Sequence, residues 1–325
     1  MKIKIFFLIF FLLLNSVSYS EIQLNSESFR QDEFKGEPAQ RIIIREHRRI
    51  QKNSLVSSDR DDAVHKPKIV TSITPIASVV AMLVKDEAVI DSLAVNSSCP
   101  HHYHLKPSDL AKVKNADIAI YIDGLFDSFA EKLMQGHSKN IIKISDIKSL
   151  KIIKDNNEPN WHIWLDIENV KILLQELSLI LAQKLPNLRE DINKNLHIAL
   201  KQLEDLNKMK NRKFEGLQDV ILLSDSAEYF FIDTKIKTQK LYSVNQKSLK
   251  YVSKLEELLS KSANKCLILD TQQDARLYKK LNANIVTLES ENWSIVDINH
   301  RVFYEQYLQM INQFEICIKI APFTQ

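Results

Sequence analysis

Several absences narrow what this sequence can be. No His-Glu-x-x-His run, nor any other compact ligand set beside a general base, occurs in its 325 residues, which argues against a zinc hydrolase. Charge is nearly balanced, 44 basic against 41 acidic residues, so no basic face for nucleic acid is indicated. No apolar run reaches the roughly 20 residues of a comfortable membrane span; the strongest, Phe6 to Leu14, is much shorter. No cysteine follows that run, so lipid attachment there has no support. Cysteine is scarce throughout, with only Cys99, Cys266 and Cys317.

What is present has the composition of a globular chain, 45% hydrophobic and 26% charged, long enough for two lobes. Met1-Lys2-Ile3-Lys4 is a short basic start, Phe6 to Leu14 an apolar core, and Ser18-Tyr19-Ser20 a small-x-small cleavage pattern. Residues 1–20 therefore read as an export signal, and the mature protein is expected to be soluble and periplasmic. Residues 21–66 carry dense charge with one short apolar patch, Ile42-Ile43-Ile44. Such a segment cannot bury enough surface to offset its ordering entropy, so a disordered leader is expected.

From Lys68 the pattern alternates. Expected strands are Ile69 to Ile73, Ser92 to Val95, Ile118 to Ile122 and Ile141 to Ile144, with helices over Ile76 to Lys85, Pro107 to Lys114, Phe126 to Met134 and Ile167 to Lys184. After Pro186 a long charged amphipathic stretch, Asn187 to Arg212, places Leu196, Leu200, Leu203 and Leu206 on one face; at 1.5 Å per residue it would span nearly 40 Å. The alternation then resumes: strands Asp219 to Leu223, Lys240 to Val244, Cys266 to Leu269 and Ile285 to Leu288, helices Ala227 to Ile232, Ser248 to Ser260, Asp274 to Leu281 and Val302 to Ile318. The fold class is α/β, two lobes with mostly parallel sheets and a cleft between them.

The chemistry concentrates in two stretches. Cys99-Pro100-His101-His102-Tyr103-His104 gathers three imidazoles on a strand-to-helix loop, a metal-ligand signal because neutral imidazole is a favoured zinc ligand and such loops carry binding sites. Asn160-Trp161-His162-Ile163-Trp164-Leu165-Asp166 sets a histidine between two tryptophans, and from spacing alone a half-buried aromatic box fits it as well as a ligand does.

The order Pro100-His101, Tyr103, Leu105-Lys106-Pro107-Ser108-Asp109, then Asn115-Ala116-Asp117 and an apolar strand resembles the periplasmic and lipoprotein metal-binding family of zinc and manganese ABC importers, closest to its zinc-uptake branch. The resemblance covers about Lys68 to the C-terminus. It implies an N-terminal lobe at 67–185, an interlobe helix at 186–214 and a C-terminal lobe at 215–325. It makes His101 and, through the similar His-x-Trp-Leu motif, His162 metal ligands, with the indoles nearby excluding water. The long His-rich insertion of some zinc members is missing, since Gly136 to Pro159 contains only His137.

At the family's third ligand this chain has Ser224, in Leu223-Ser224-Asp225-Ser226, and a hydroxyl is a poor zinc donor. His102, His104, Cys99, Asp225 or water could fill the vacancy. Glu289, in Thr287-Leu288-Glu289-Ser290, matches the fourth, acidic ligand, with Asp270 as its rival. Cys266 and Cys317 match a disulfide of the zinc-uptake branch, and an oxidising periplasm permits one. The expected function is capture of Zn2+ and its delivery to an ABC transporter permease, by a monomer that is not an enzyme. A manganese or iron member, or a degenerate member that binds metal weakly, is the alternative.

Overall fold

The computed structural model describes residues 66–95, 103–155, 157–242, 248–295 and 297–318. The expected export signal, the leader except Lys66, Cys99, His101 and His102 lie outside the described residues.

Short apolar runs form two parallel sheets. In the first, β1 (Lys68–Thr71), β2 (Val89–Ser92), β3 (Ile118–Tyr121) and β4 (Ile141–Lys143) lie in the order β2-β1-β3-β4. A two-residue antiparallel ladder, β5 (Lys154–Asp155) with β6 (Glu158–Pro159), forms the turn ahead of His162. In the second sheet, β7 (Asp219–Leu222), β8 (Lys237–Lys240), β9 (Cys266–Asp270) and β10 (Asn284–Leu288) lie in the order β10-β9-β7-β8. Taken in chain order the two sheets have one topology, the second strand outside the first and the third and fourth on its other side. The order therefore reverses between β1 and β3, and again between β7 and β9. Ligands of open α/β sheets bind beyond the carboxyl ends of strands at such reversals.

Side chains alternate along each strand, so each sheet has two buried faces. Ile118 and Ile120 enter the central core while Ala119 and Tyr121 join an outer cluster with Val113 and Met134. Val220, Leu222 and Ile268 face the same central core, whereas Ile221, Leu223 and Leu267 pack outward on Tyr251 and Leu255. The inner faces of both sheets thus share one core. The helices are α1 (Thr74–Val84), α2 (Pro107–Lys114), α3 (Ser128–His137), α4 (Ile167–Lys184), α5 (Arg189–Lys213), α6 (Leu249–Lys261) and α7 (Val302–Gln313).

Helix α5 has 25 residues and is about 37 Å long at 1.5 Å per residue. It packs on α1 and α4 from the first half of the chain and on α7 from the second. Its buried stripe is Ile192, Asn195, Ala199, Leu203, Leu206 and Lys210. The expected stripe was rotated slightly: Leu196 and Leu200 are only half-buried, because α5 turns smaller and polar residues toward α1. Asn195 Nδ2 donates to Leu83 O at 2.9 Å, satisfying a carbonyl in the last turn of α1.

Some expected elements shift. The strand expected over Ser92 to Val95 is Val89–Ser92, in register with Lys68–Thr71, and that expected over Lys240 to Val244 is Lys237–Lys240, paired with Asp219–Leu222. The helices expected over Ala227 to Ile232 and Asp274 to Leu281 are 3₁₀ segments, Asp225–Phe231 and Ala275–Tyr278. The last helix stops at Gln313 and tightens into a 3₁₀ turn, Phe314–Cys317, which carries Cys317 to Cys266 at the start of β9, where the two are disulfide-bonded across 51 residues. Among the described residues no helix is long and apolar enough to cross a membrane.

Candidate metal centre

Loops from both sheets meet at His162. Asn160 and His162 lead into a short 3₁₀ turn, Ile163–Leu165, after which Asp166 caps α4 by accepting from Glu168 N and Asn169 N. The tryptophans flanking His162 are apolar and buried, which fixes this loop in the core: Trp164 is 0% exposed and its Nε1 donates to Ser290 O at 3.2 Å, across from the loop that follows β10. Phe126, from the loop after β3, stands edge-on to the His162 ring at 5.5 Å, and Trp164 at 5.3 Å.

His162 is 6% exposed, and its Nε2 faces Glu291 Oε2 at 3.1 Å, Glu291 being equally buried. The approach has the distance of an ion pair without the direction of a hydrogen bond, for Nε2 makes none among the described residues. On the other side of the ring, Nδ1 lies 2.7 Å from Asn160 Oδ1, which also accepts from His162 N at 3.1 Å. Asn160 Nδ2 donates to Asp225 O at 2.9 Å. Tyr229 Oη, from the same 3₁₀ segment as Asp225, donates to Asn160 O at 2.9 Å.

The other candidates fall as follows. Ser224 is buried, but its Oγ is 2.9 Å from Ser226 Oγ, which is 2.7 Å from Ser290 Oγ, so it belongs to a hydroxyl chain joining two loops of the second sheet. Glu289 is half-buried and accepts from Ser294 N at 2.7 Å. The acid brought to His162 is thus Glu291 rather than Glu289, because Ser290 is anchored on both Trp164 and Ser226 and the next residue is turned toward the His162 ring. Asp270 is tied into its own turn, accepting from Gln272 N and Gln273 N. His104 and Asp225 are exposed. Among the described residues no three His, Cys, Asp or Glu side chains form a metal-holding group.

Several buried charged groups are perturbed by their burial. Asp127, beside Phe126, is pushed up to about 6 by burial, opposed by the N–H groups of Ile122 and Asp123. Asp166 is pushed up to about 7, first by burial and then by its neighbour Asp233. Lys210, on α5, is brought down to about 8 by burial.

The family model described as the periplasmic component A of the zinc-uptake complex matches residues 69–314. The chain belongs to the ZnuA family. An uncharacterized protein of Rickettsia prowazekii is 58% identical over 255 residues, 78% of this chain and 84% of the relative. The manganese ABC transporter substrate-binding lipoprotein PsaA of Streptococcus mitis is 24% identical over 247 residues, 70% of this chain and 80% of its own. The structure of TroA, a periplasmic zinc-binding protein from Treponema pallidum, superimposes with a TM-score of 0.65 at 16% identity, covering 78% of this chain and 98% of TroA, and so shares the fold. ZnuA-family proteins are substrate-binding components of metal transporters rather than enzymes.

Glu291, Asn160, Ser226 and Ser290 are the members of the centre that sequence reasoning missed. An acid two residues beyond Glu289 and an Asn two residues before His162 were visible, the latter a spacing that favours local side-chain bonding.

Proposed function

We propose that this chain captures a divalent transition metal, zinc foremost, outside the cytoplasm and delivers it to the permease of an ABC transporter, and that His162 and Glu291 are two of its ligands. The observation that carries the reading is the 3.1 Å approach of a buried imidazole nitrogen from one lobe to a buried carboxylate from the other. A cation there would be met by an imidazole nitrogen and a carboxylate oxygen at once. Imidazole in the set favours zinc and its neighbours over calcium or magnesium. His101 joins the set on the strength of its motif, and residues 1–20 serve as the export signal. Ser224, as a hydroxyl, leaves the site weaker than one with a third histidine. Manganese is the second reading, favoured by the PsaA likeness.

Competition titration of the purified protein with zinc, manganese and iron tests this, on wild type and on His101→Ala, His162→Ala, Glu291→Gln, Glu289→Gln and Ser224→His. Zinc should bind at one site, and affinity should fall at least tenfold in the first three variants. Glu289→Gln should resemble wild type, and Ser224→His should tighten binding. Wild-type zinc affinity in both His162→Ala and Glu291→Gln would refute the assigned centre. Preference for manganese or iron over zinc would refute the choice of metal alone.

A further inference from the structure

The side-chain amide of Asn160 touches three groups that together fix which way round it lies. Its Oδ1 is 3.1 Å from His162 N, which can only donate, and its Nδ2 is 2.9 Å from Asp225 O, which can only accept. Reversing the amide would set donor against donor and acceptor against acceptor. The oxygen that remains toward the ring, 2.7 Å from His162 Nδ1, must therefore accept from it. A neutral imidazole has one proton, and with that proton on Nδ1 the lone pair is on Nε2, the atom facing Glu291.

We infer that Asn160 is the positioning residue of the metal centre: it holds the His162 proton on Nδ1, so that Nε2 is presented bare to the metal, and the Asp225 carbonyl of the other lobe holds Asn160 in that sense. The inference rests on His162 being a ligand, as proposed above. The tautomer of a first-lobe ligand is thereby set through the interface with the second lobe. Bonds to a ligand's outer nitrogen orient the ring and raise its basicity. Tyr229 Oη, bonded to Asn160 O and to Ile153 N at 2.7 Å, fixes the backbone from which this amide projects.

The test is nitrogen NMR of metal-free protein labelled in histidine, well above the ordinary imidazole pKa of about 6.5, with His162→Ala supplying the assignment among the 9 histidines. Zinc titration runs on the same samples. Wild-type His162 should carry its proton on Nδ1. Asn160→Ala should lose that preference and weaken zinc binding about 10–100-fold. Asn160→Asp, which keeps an acceptor beside Nδ1, should restore the tautomer and bring affinity back to within a few-fold of wild type. If Asn160→Ala does not fold, Asn160→Leu, of similar volume, replaces it. An Nε2 proton in the wild type overturns the inference, as does an Asn160→Ala protein with unchanged tautomer or affinity, or an Asn160→Asp protein no better than Asn160→Ala. Unaltered zinc binding in His162→Ala would instead overturn the ligand assignment, whatever the tautomer.

Discussion

Replacing Lys210 with methionine should stabilise the protein at neutral pH by about 1–3 kcal/mol. Lys210 is 0% exposed in the middle of the structure. Its Nζ has only long contacts, 3.3 Å to Phe230 O and 3.5 Å to Tyr307 Oη, and lies 5.6 Å and 5.9 Å from the Phe230 and Tyr307 ring centres. Burial brings its pKa from 10.5 to about 8. At about 1.36 kcal/mol per pKa unit, the ammonium costs the folded state about 3 kcal/mol relative to the free amine. Methionine keeps the unbranched shape without the charge. The gain is trimmed because Asp166 and Asp233, which attract Lys210, lose that cation.

The pH dependence supplies the check on sign. Between the folded value and the unfolded one the unfolded chain holds more protons, so unfolding free energy rises with pH from about 8 to about 10.5 in the wild type. Lys210→Met lacks this rise, and its advantage should shrink with alkalinity. Urea denaturation of both proteins near neutrality and at about pH 10 measures each quantity. A variant less stable than wild type at neutral pH, by a margin that alkali leaves unchanged, would show that Lys210 is well compensated and that the reasoning is wrong.

Three further outcomes are expected. Replacing Cys266 and Cys317 together by alanine should cost about 4 kcal/mol in the loop-entropy view, seen in urea midpoints, with zinc affinity little changed because Ser290 and Glu291, although inside the 51-residue loop, are held by bonds of their own to Trp164 and Ser226. Trp164→Ala should cost about 3–5 kcal/mol in thermal or urea unfolding and also weaken zinc binding, since Trp164 packs on His162 and bonds Ser290 O. Asp166, up to about 7, holds more protons when folded, so its contribution is full at acid pH and declines as pH rises toward neutrality; Asp166→Asn, which can still cap α4, should flatten that decline in a pH series of unfolding curves.

The alternation of strands and helices was legible because apolar runs of four or five residues between helical periods have few other readings. The α4 boundaries, Ile167–Lys184, follow from Asp166 as a cap and from Pro186. Short segments were harder: Asp225–Phe231 is apolar enough for a helix, yet anchoring to Asn160 and the first-sheet loops tightens it to 3₁₀ geometry. The candidate centre was half legible. His162 stood out between its tryptophans, but nothing local separates Glu289 from Glu291. Their difference arises from contacts with Trp164, Ser226 and Ser294, partners far away in sequence or beyond the strand.

Glu291 belongs to a strap, residues 290–293, that is fixed on both sides of the cleft. Helix α1 begins after Ile73, which offers no side-chain cap. The free N–H of Thr74 is met instead by Asn292 Oδ1 at 3.0 Å, and Thr74 Oγ1 accepts from Trp293 N at 3.0 Å. Asn292 Nδ2 also donates to Ala94 O, beyond the end of β2. A helix N-terminus left without its cap costs about 1 kcal/mol, and a buried amide stripped of partners about 1–3 kcal/mol more. Pulling the strap from the first lobe therefore costs several kcal/mol before any apolar contact is broken. Glu291, held between Ser290 and Asn292, has its backbone placed by these bonds. The backbone that carries Glu291 is thus preorganised by interlobe contacts, and if Glu291 is a ligand as proposed, that part of the ordering a metal would otherwise have to impose is already present in the fold.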